Sequence, residues 1–131
     1  MKKEYILSAL DKYLQEDTEF VVISGAALVI QGIKEITNDI DIAVSKNLYQ
    51  KLLDKYTCVF EKNVDNYLVW IIDDTINFSI HYYDEVEYIY YDGYKVQTLD
   101  SILELKKNLN RDKDKIDIAK IMYYKNNSKK S

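Results

Sequence analysis

Apolar positions recur at helical spacing through residues 4–15, where Ile6, Leu7, Leu10, Tyr13 and Leu14 define one face of an amphipathic helix. Phe20-Val21-Val22-Ile23 is instead an unbroken apolar run rich in β-branched residues, the pattern of a short buried strand. Ser24-Gly25 punctuates that run, and Ala26 to Gln31 predicts a second helix that Gly32 stops. From Asp39 to Ile42 acid and apolar residues alternate, and with Ala43-Val44 they predict a second strand. Leu48, Leu52 and Leu53 share one face of a helix predicted over 46–56. The chain is then β-rich, with strands predicted at 57–61, 67–72, 76–82, 86–91 and 94–97, the last two joined by the tight-turn pair Asp92-Gly93. Thr98 caps a helix that ends near Asn110, and a final helix is expected from near Asp112 to Tyr124. This order predicts one α+β domain over residues 1–125, built on a mixed sheet, with the polar stretch 126–131 as a flexible tail.

Composition narrows the function classes. A length of 131 residues suits one domain, and an apolar fraction of 47% is ordinary for a globular chain. The net charge of −4 argues against a general nucleic-acid coat, which needs clustered Lys and Arg to neutralise phosphates. Cys58 is the only cysteine, so no intrachain disulfide forms and a reducing compartment is expected. The first residues lack the apolar core of a signal peptide, and no apolar run approaches the roughly 20 residues needed to cross a bilayer. A soluble, cytoplasmic protein with no membrane partner is the expectation. His81 is the only histidine, which leaves zinc chemistry and a Ser-His-Asp triad poorly supported. Arg111 is the only arginine among 18 basic residues, a hint that a planar, forked donor is needed there.

The segment richest in chemistry is Ile23-Ser24-Gly25-Ala26, followed by Thr37-Asn38-Asp39-Ile40-Asp41-Ile42. Side chains two apart on a strand point the same way, so Asp39 and Asp41 are expected to project together while Ile40 and Ile42 enter a core. Two adjacent carboxylates repel and are costly to desolvate, and such a pair implies a cation between them. Oxygen ligands of this kind suit Mg2+ (or Mn2+), which accepts substrate phosphates as further ligands. Upstream, a strand that ends in Ser24-Gly25 and opens a helix offers backbone N–H groups to an anion. Together they describe a site for a nucleoside triphosphate.

The turn, the twelve residues after Gly25-Ala26 and the Asp39-Ile40-Asp41 strand resemble the nucleotidyltransferase superfamily related to DNA polymerase beta. The resemblance is greatest to its small bacterial branch around the abortive-infection toxins. The ending, with Leu105-Lys106 and then Arg111-Asp112-Lys113-Asp114 and Asp117, is similar to that branch too. The resemblance implies a mixed sheet with helices mainly on one face. It implies transfer of a nucleoside monophosphate to a hydroxyl of a transfer RNA or a protein, with Asp39 and Asp41 holding the metal. Ser24, Gly25, Ala26, Lys106 and Arg111 would then bind the nucleotide, and a toxin of this kind would have a cognate antitoxin. Two positions depart from the pattern. Ala26 stands where a phosphate-binding hydroxyl is common, and Asn77 stands where a third catalytic carboxylate is expected, with Asp73, Asp74 and Asp84 as alternative third acids. These departures keep open a second reading, a degenerate module for nucleotide sensing or protein binding.

Overall fold

A computed structural model describes residues 1–15 and 17–128. The elements are α1 (Lys3–Leu14), β1 (Phe20–Ile23), α2 (Ser24–Ile30), β2 (Ile40–Val44), α3 (Lys46–Lys55), β3 (Cys58–Val64) and β4 (Tyr67–Ile72). They continue with β5 (Ile76–Ser79), β6 (Tyr88–Tyr91), β7 (Tyr94–Gln97), α4 (Leu99–Leu109), a 3-10 turn over Asp112–Asp114, and α5 (Lys115–Ser128). All seven strands join one sheet in the order β3-β4-β5-β2-β1-β7-β6. The β1/β7 and β2/β5 pairs are parallel and the remaining pairs antiparallel, so the sheet is mixed, as expected of the α+β class.

Local chemistry explains the boundaries. Ser45 and Thr98 cap α3 and α4, their hydroxyls accepting the N–H groups of Leu48 and Ser101 at 3.1 Å each. Asn110 closes α4 in the left-handed conformation. Both Asp92-Gly93 and Asp65-Asn66 have positive φ at each residue, as tight hairpins between right-twisted strands require. Only the first of these two turns carries a glycine to announce it.

Period two sorts the central strands. Ile40, Ile42, Val44, Ile76 and Phe78 face a core shared with Ile6, Leu10 and Leu14 of α1, Leu28 and Ile30 of α2, and Leu48 and Leu52 of α3. Each fully buried aliphatic or aromatic side chain there contributes about 1.5–3 kcal/mol. Asp41, Ala43, Asn77 and Ser79 belong to the other face.

Several boundaries differ from the sequence reading. Helix α2 begins at Ser24 rather than Ala26, and Asp39 lies just ahead of β2 rather than in it. Strand β3 extends to Val64, its ladder tolerating a bulge between Phe60 and Lys62. Strand β5 stops at Ser79, because the chain turns away at Tyr82, where φ is +70°. Strand β6 starts at Tyr88. Helix α5 continues past Tyr124 to Ser128, so the first part of the expected tail is helical, and residues 129–131 lie outside the described residues. No helix among the described residues is long and apolar enough to cross a membrane.

Candidate functional site

Strand β2 sits between β1 and β5, and its register sets the site. Asp41 lies opposite Ile23 on one side and Asn77 on the other. The Asn77 amide Nδ2 donates to Asp41 Oδ1 at 3.1 Å. Ile40 and Ile42 are 0% and 2% exposed on the far face, so packing locks the strand's rotation and holds Asp41 on the open face. Asp39 is exposed, and it shares with Asp41 a polar cleft of about 500 Å³. Burial pushes the Asp41 carboxyl above its ordinary range, and the negative charges of Asp39 and Glu61 push it further. The Asn77 hydrogen bond and the charge of Lys62 act in the opposite direction. The charged form of Asp41 is therefore disfavoured chiefly by burial, a cost that a bound cation would offset.

Among the described residues, no three His, Cys, Asp or Glu side chains gather into one metal-binding group. The third position beside Asp41 is occupied by Asn77, in register and in hydrogen-bond contact. Asp73 instead accepts the Tyr13 hydroxyl on its Oδ2 at 2.8 Å, engaged with α1. Asp84 lines a different cavity, with Ser45 and Lys46. Asp74, in the β4–β5 turn with φ of +53°, lines neither cavity at Asp41. Asn77 Oδ1 is buried without a hydrogen-bond partner. Asp39 and Asp41 offer carboxylate oxygens to the same cleft, donors of the kind that suit a hard divalent cation, while Asn77 lines a smaller cavity on the other side of Asp41.

The turn after β1 departs from expectation in an instructive way. Ser24, not Gly25, takes the left-handed φ of +57°, and its N–H is already bonded to Gln97 Oε1 at 2.9 Å. That amide is therefore used internally rather than offered to an anion. Ala26 is 1% exposed and belongs to the core, so its side chain does not reach the cleft. Ser24 and Gly25 do line it. The need for glycine at 25 is steric: a Cβ there would lie 2.5 Å from Thr37 Oγ1. Glycine thus lets the 32–39 link pack against the start of α2 and brings Asp39 to the cleft. Gly25→Ala is expected to cost about 1–3 kcal/mol by overpacking, and most of that loss should vanish in a Thr37→Ala background. Thermal denaturation of the single and double variants checks the coupling.

The cationic side of the cleft is more structural than the sequence suggests. Lys106 is buried, its ammonium 3.0 Å from Asp114 Oδ1 and 3.3 Å from Asp117 Oδ2. Arg111 donates from Nε to Asp114 Oδ2 at 2.6 Å and from Nη2 to Asp114 Oδ1 at 3.1 Å. Lys34 on the link reaches Asp117 at 3.3 Å. Lys106 is thus committed to two carboxylates, whereas the half-exposed Arg111 is oriented by one and retains further N–H groups. Sequence reasoning missed Lys62 and Lys113, which also line the cleft. Lys62 belongs to β3, two strands beyond β5 in the sheet, and nothing along the chain signals that approach. A larger groove of about 870 Å³ lies against α5 at Ile116, Lys120 and Tyr123, and carries no carboxylates.

No protein-family model matches the chain, and no curated protein matches it in sequence. Solved structures match it in fold. TM1012 from Thermotoga maritima, a candidate nucleotidyltransferase, superposes with a TM-score of 0.57 at 15% identity, over 95% of this chain and 96% of that one. JHP933 from Helicobacter pylori superposes with a TM-score of 0.50 at 18% identity, over 79% of this chain and 54% of that one. The chain therefore spans about half the length of JHP933. A seven-stranded mixed sheet, an Asp-bearing strand at its centre and these structural neighbours give one conclusion: the chain has the nucleotidyltransferase fold.

Proposed function

We propose that this protein is a metal-dependent nucleotidyltransferase that moves a nucleoside monophosphate from a nucleoside triphosphate to a hydroxyl on RNA or protein. The observation that carries the reading is Asp41: half-buried, its charged form disfavoured by burial, and sharing one cleft with Asp39, Arg111, Lys62 and Lys113. Asp39 and Asp41 would hold Mg2+ or Mn2+. When bound, such an ion neutralises phosphate charge and lowers the barrier to attack by a hydroxyl. The chain's own groups do the rest. Arg111, fixed by Asp114, turns its remaining N–H groups to phosphate oxygens, and Lys62 and Lys113 add charge. Ser24 and Gly25 form the floor of the cleft at the head of α2. The resemblance to abortive-infection toxins extends the proposal to a defence role with a cognate antitoxin.

A second reading has its own observation. Asn77 carries no negative charge where a third acid belongs, which favours a nucleotide-sensing or protein-binding module. One experiment separates the two. The protein is incubated with each labelled triphosphate, Mg2+ and cell extract, and its melting temperature is measured with and without Mg2+ or Mn2+. Transfer predicts a labelled macromolecule with wild type and none with Asp41→Asn, and a metal-dependent rise in melting temperature that Asp41→Asn mostly removes. Stabilisation by triphosphate without any labelling supports the module. A metal response unchanged in Asp41→Asn rules out β2 as the site.

A further inference from the structure

Among the described residues, two buried side-chain polar atoms lack a hydrogen-bond partner: Asn77 Oδ1 and His81 Nε2. Both residues line the same small cavity, of about 130 Å³, whose walls include Val64, Val69 and Tyr82. An unpaired buried polar group costs about 1–3 kcal/mol, so two in one wall point to a ligand that bonds to them. His81 is held in place. Its backbone N–H donates to Ser79 Oγ at 3.2 Å, and its ring packs against Tyr67 and Tyr82 with centroids 4.5 Å and 3.6 Å away. Asp65 Oδ2 lies 3.4 Å from Nε2 without hydrogen-bonding geometry, so it supplies charge nearby but leaves the nitrogen available.

The cavity's position gives it a role. Asp41 and Lys62 border both this cavity and the polar cleft. The cleft opens from β2 towards Ser24, Gly25 and the 34–39 link, whereas the small cavity lies over β5, β4 and β3. In-line displacement places the attacking and leaving oxygens on opposite sides of the reacting phosphorus. The cationic cleft suits the triphosphate. The small cavity, where Asp41, Lys62, Asn77, Ser79 and His81 alternate with apolar side chains, has room only for a compact group.

We propose that this cavity receives the hydroxyl-bearing end of the acceptor and that His81 takes the hydroxyl proton. The proposal rests on the nucleotidyl-transfer reading above. The acceptor O–H bond breaks and its proton passes to His81 Nε2, while the oxygen forms a bond to the α-phosphorus. The bond from that phosphorus to the bridging oxygen breaks, and pyrophosphate leaves with the electron pair. His81 thereby supplies the proton acceptor that an amide at position 77 does not. Asn77 Oδ1 is a positioning group on the same wall.

The test uses the labelling assay on wild type, His81→Ala, His81→Gln and Asp41→Asn, with melting temperatures measured with and without Mn2+. Both His81 variants should lose at least about 100-fold in labelling rate, the usual share of a general base. Their metal-dependent stabilisation should survive, since that belongs to Asp41. Added imidazole should restore part of the His81→Ala rate, an effect that loss of packing alone does not produce. Labelling by His81→Gln within about twofold of wild type overturns the role of His81 while leaving nucleotidyl transfer standing. Absence of labelling by wild type itself overturns both.

Discussion

Lys106→Met is expected to lower stability by about 3–5 kcal/mol, the usual cost of breaking a buried ion pair by removing one partner. For a domain of this size the melting temperature should fall by roughly 10–15 °C. The ammonium stands between Asp114 and Asp117, which are 2% and 8% exposed, and methionine leaves both carboxylates with less compensating charge. Arg111 still serves Asp114 and Lys34 still serves Asp117, so unfolding is not the expected outcome. The double variant Lys106→Met, Asp114→Asn should recover part of the loss, because it removes a charge along with its partner. The pH dependence carries a defined sign. Burial alone would raise the Asp114 carboxyl, but hydrogen bonds from Arg111 and Lys106 outweigh it and hold the group below its ordinary value. A depressed native value gives stability that is present above the unfolded value of about 3.9 and lost as pH falls through the native one. Wild type should therefore lose stability on acidification below about pH 4, and Lys106→Met should lose less. Thermal denaturation across that range checks both statements. An unaltered melting temperature in Lys106→Met would refute the claim that this lysine compensates the buried Asp114 and Asp117 carboxylates.

Asn77→Asp should have opposite effects with and without metal. The substitution removes the amide that donates to Asp41 Oδ1 at 3.1 Å and places a carboxylate against a carboxylate. Without metal, stability should fall by about 1–3 kcal/mol, from the lost hydrogen bond and like-charge repulsion. Asp41, already raised by burial, should rise further. An acid raised in the folded state binds more protons there than in the unfolded chain. Metal-free stability should therefore fall as pH rises from about 3.9 through the native value, and more steeply in Asn77→Asp than in wild type. With Mn2+ or Mg2+ the added anionic oxygen becomes a ligand, and metal affinity should increase by about tenfold or more. Any labelling activity should rise with it. Melting temperatures measured with EDTA and with Mn2+ give the two arms. Identical responses in wild type and variant would place Asn77 outside the metal site despite its contact with Asp41.

The resemblance in the sequence led to the right fold, and the reasons lie in particular residues. Helix α1, strand β1, strand β4 and strand β7 follow directly from apolar periodicity, and the Thr98 cap marks the start of α4. Asp41 was identifiable because alternation with Ile40 and Ile42 dictates which side chains enter a core. Asn77 was placed beside it by the resemblance, at the position of a third acid, and the β2/β5 register agrees that it neighbours Asp41. The sequence misled wherever a side chain's role depends on what approaches from elsewhere. Gly25 looks like a conformational glycine, yet Thr37, twelve residues on, is what excludes a larger residue there. Lys106 looks like a free phosphate ligand along the chain, yet Asp114 and Asp117 both pair with it in the fold.

Periodicity along the chain determined the order of elements, the α+β class and the face on which Asp41 lies, because a pleated strand allows its side chains only two directions. The tertiary structure alone decided that Lys62 borders the site, that Asp73 and Asp84 lie elsewhere, and that His81 and Asn77 share a cavity wall. Those facts depend on the lateral order β3-β4-β5-β2, in which residues 36 apart, such as Asp41 and Asn77, meet through sheet register. Charge compensation and hydrogen bonding act over a few ångströms of space whatever the separation along the chain, so no local pattern in the sequence records them.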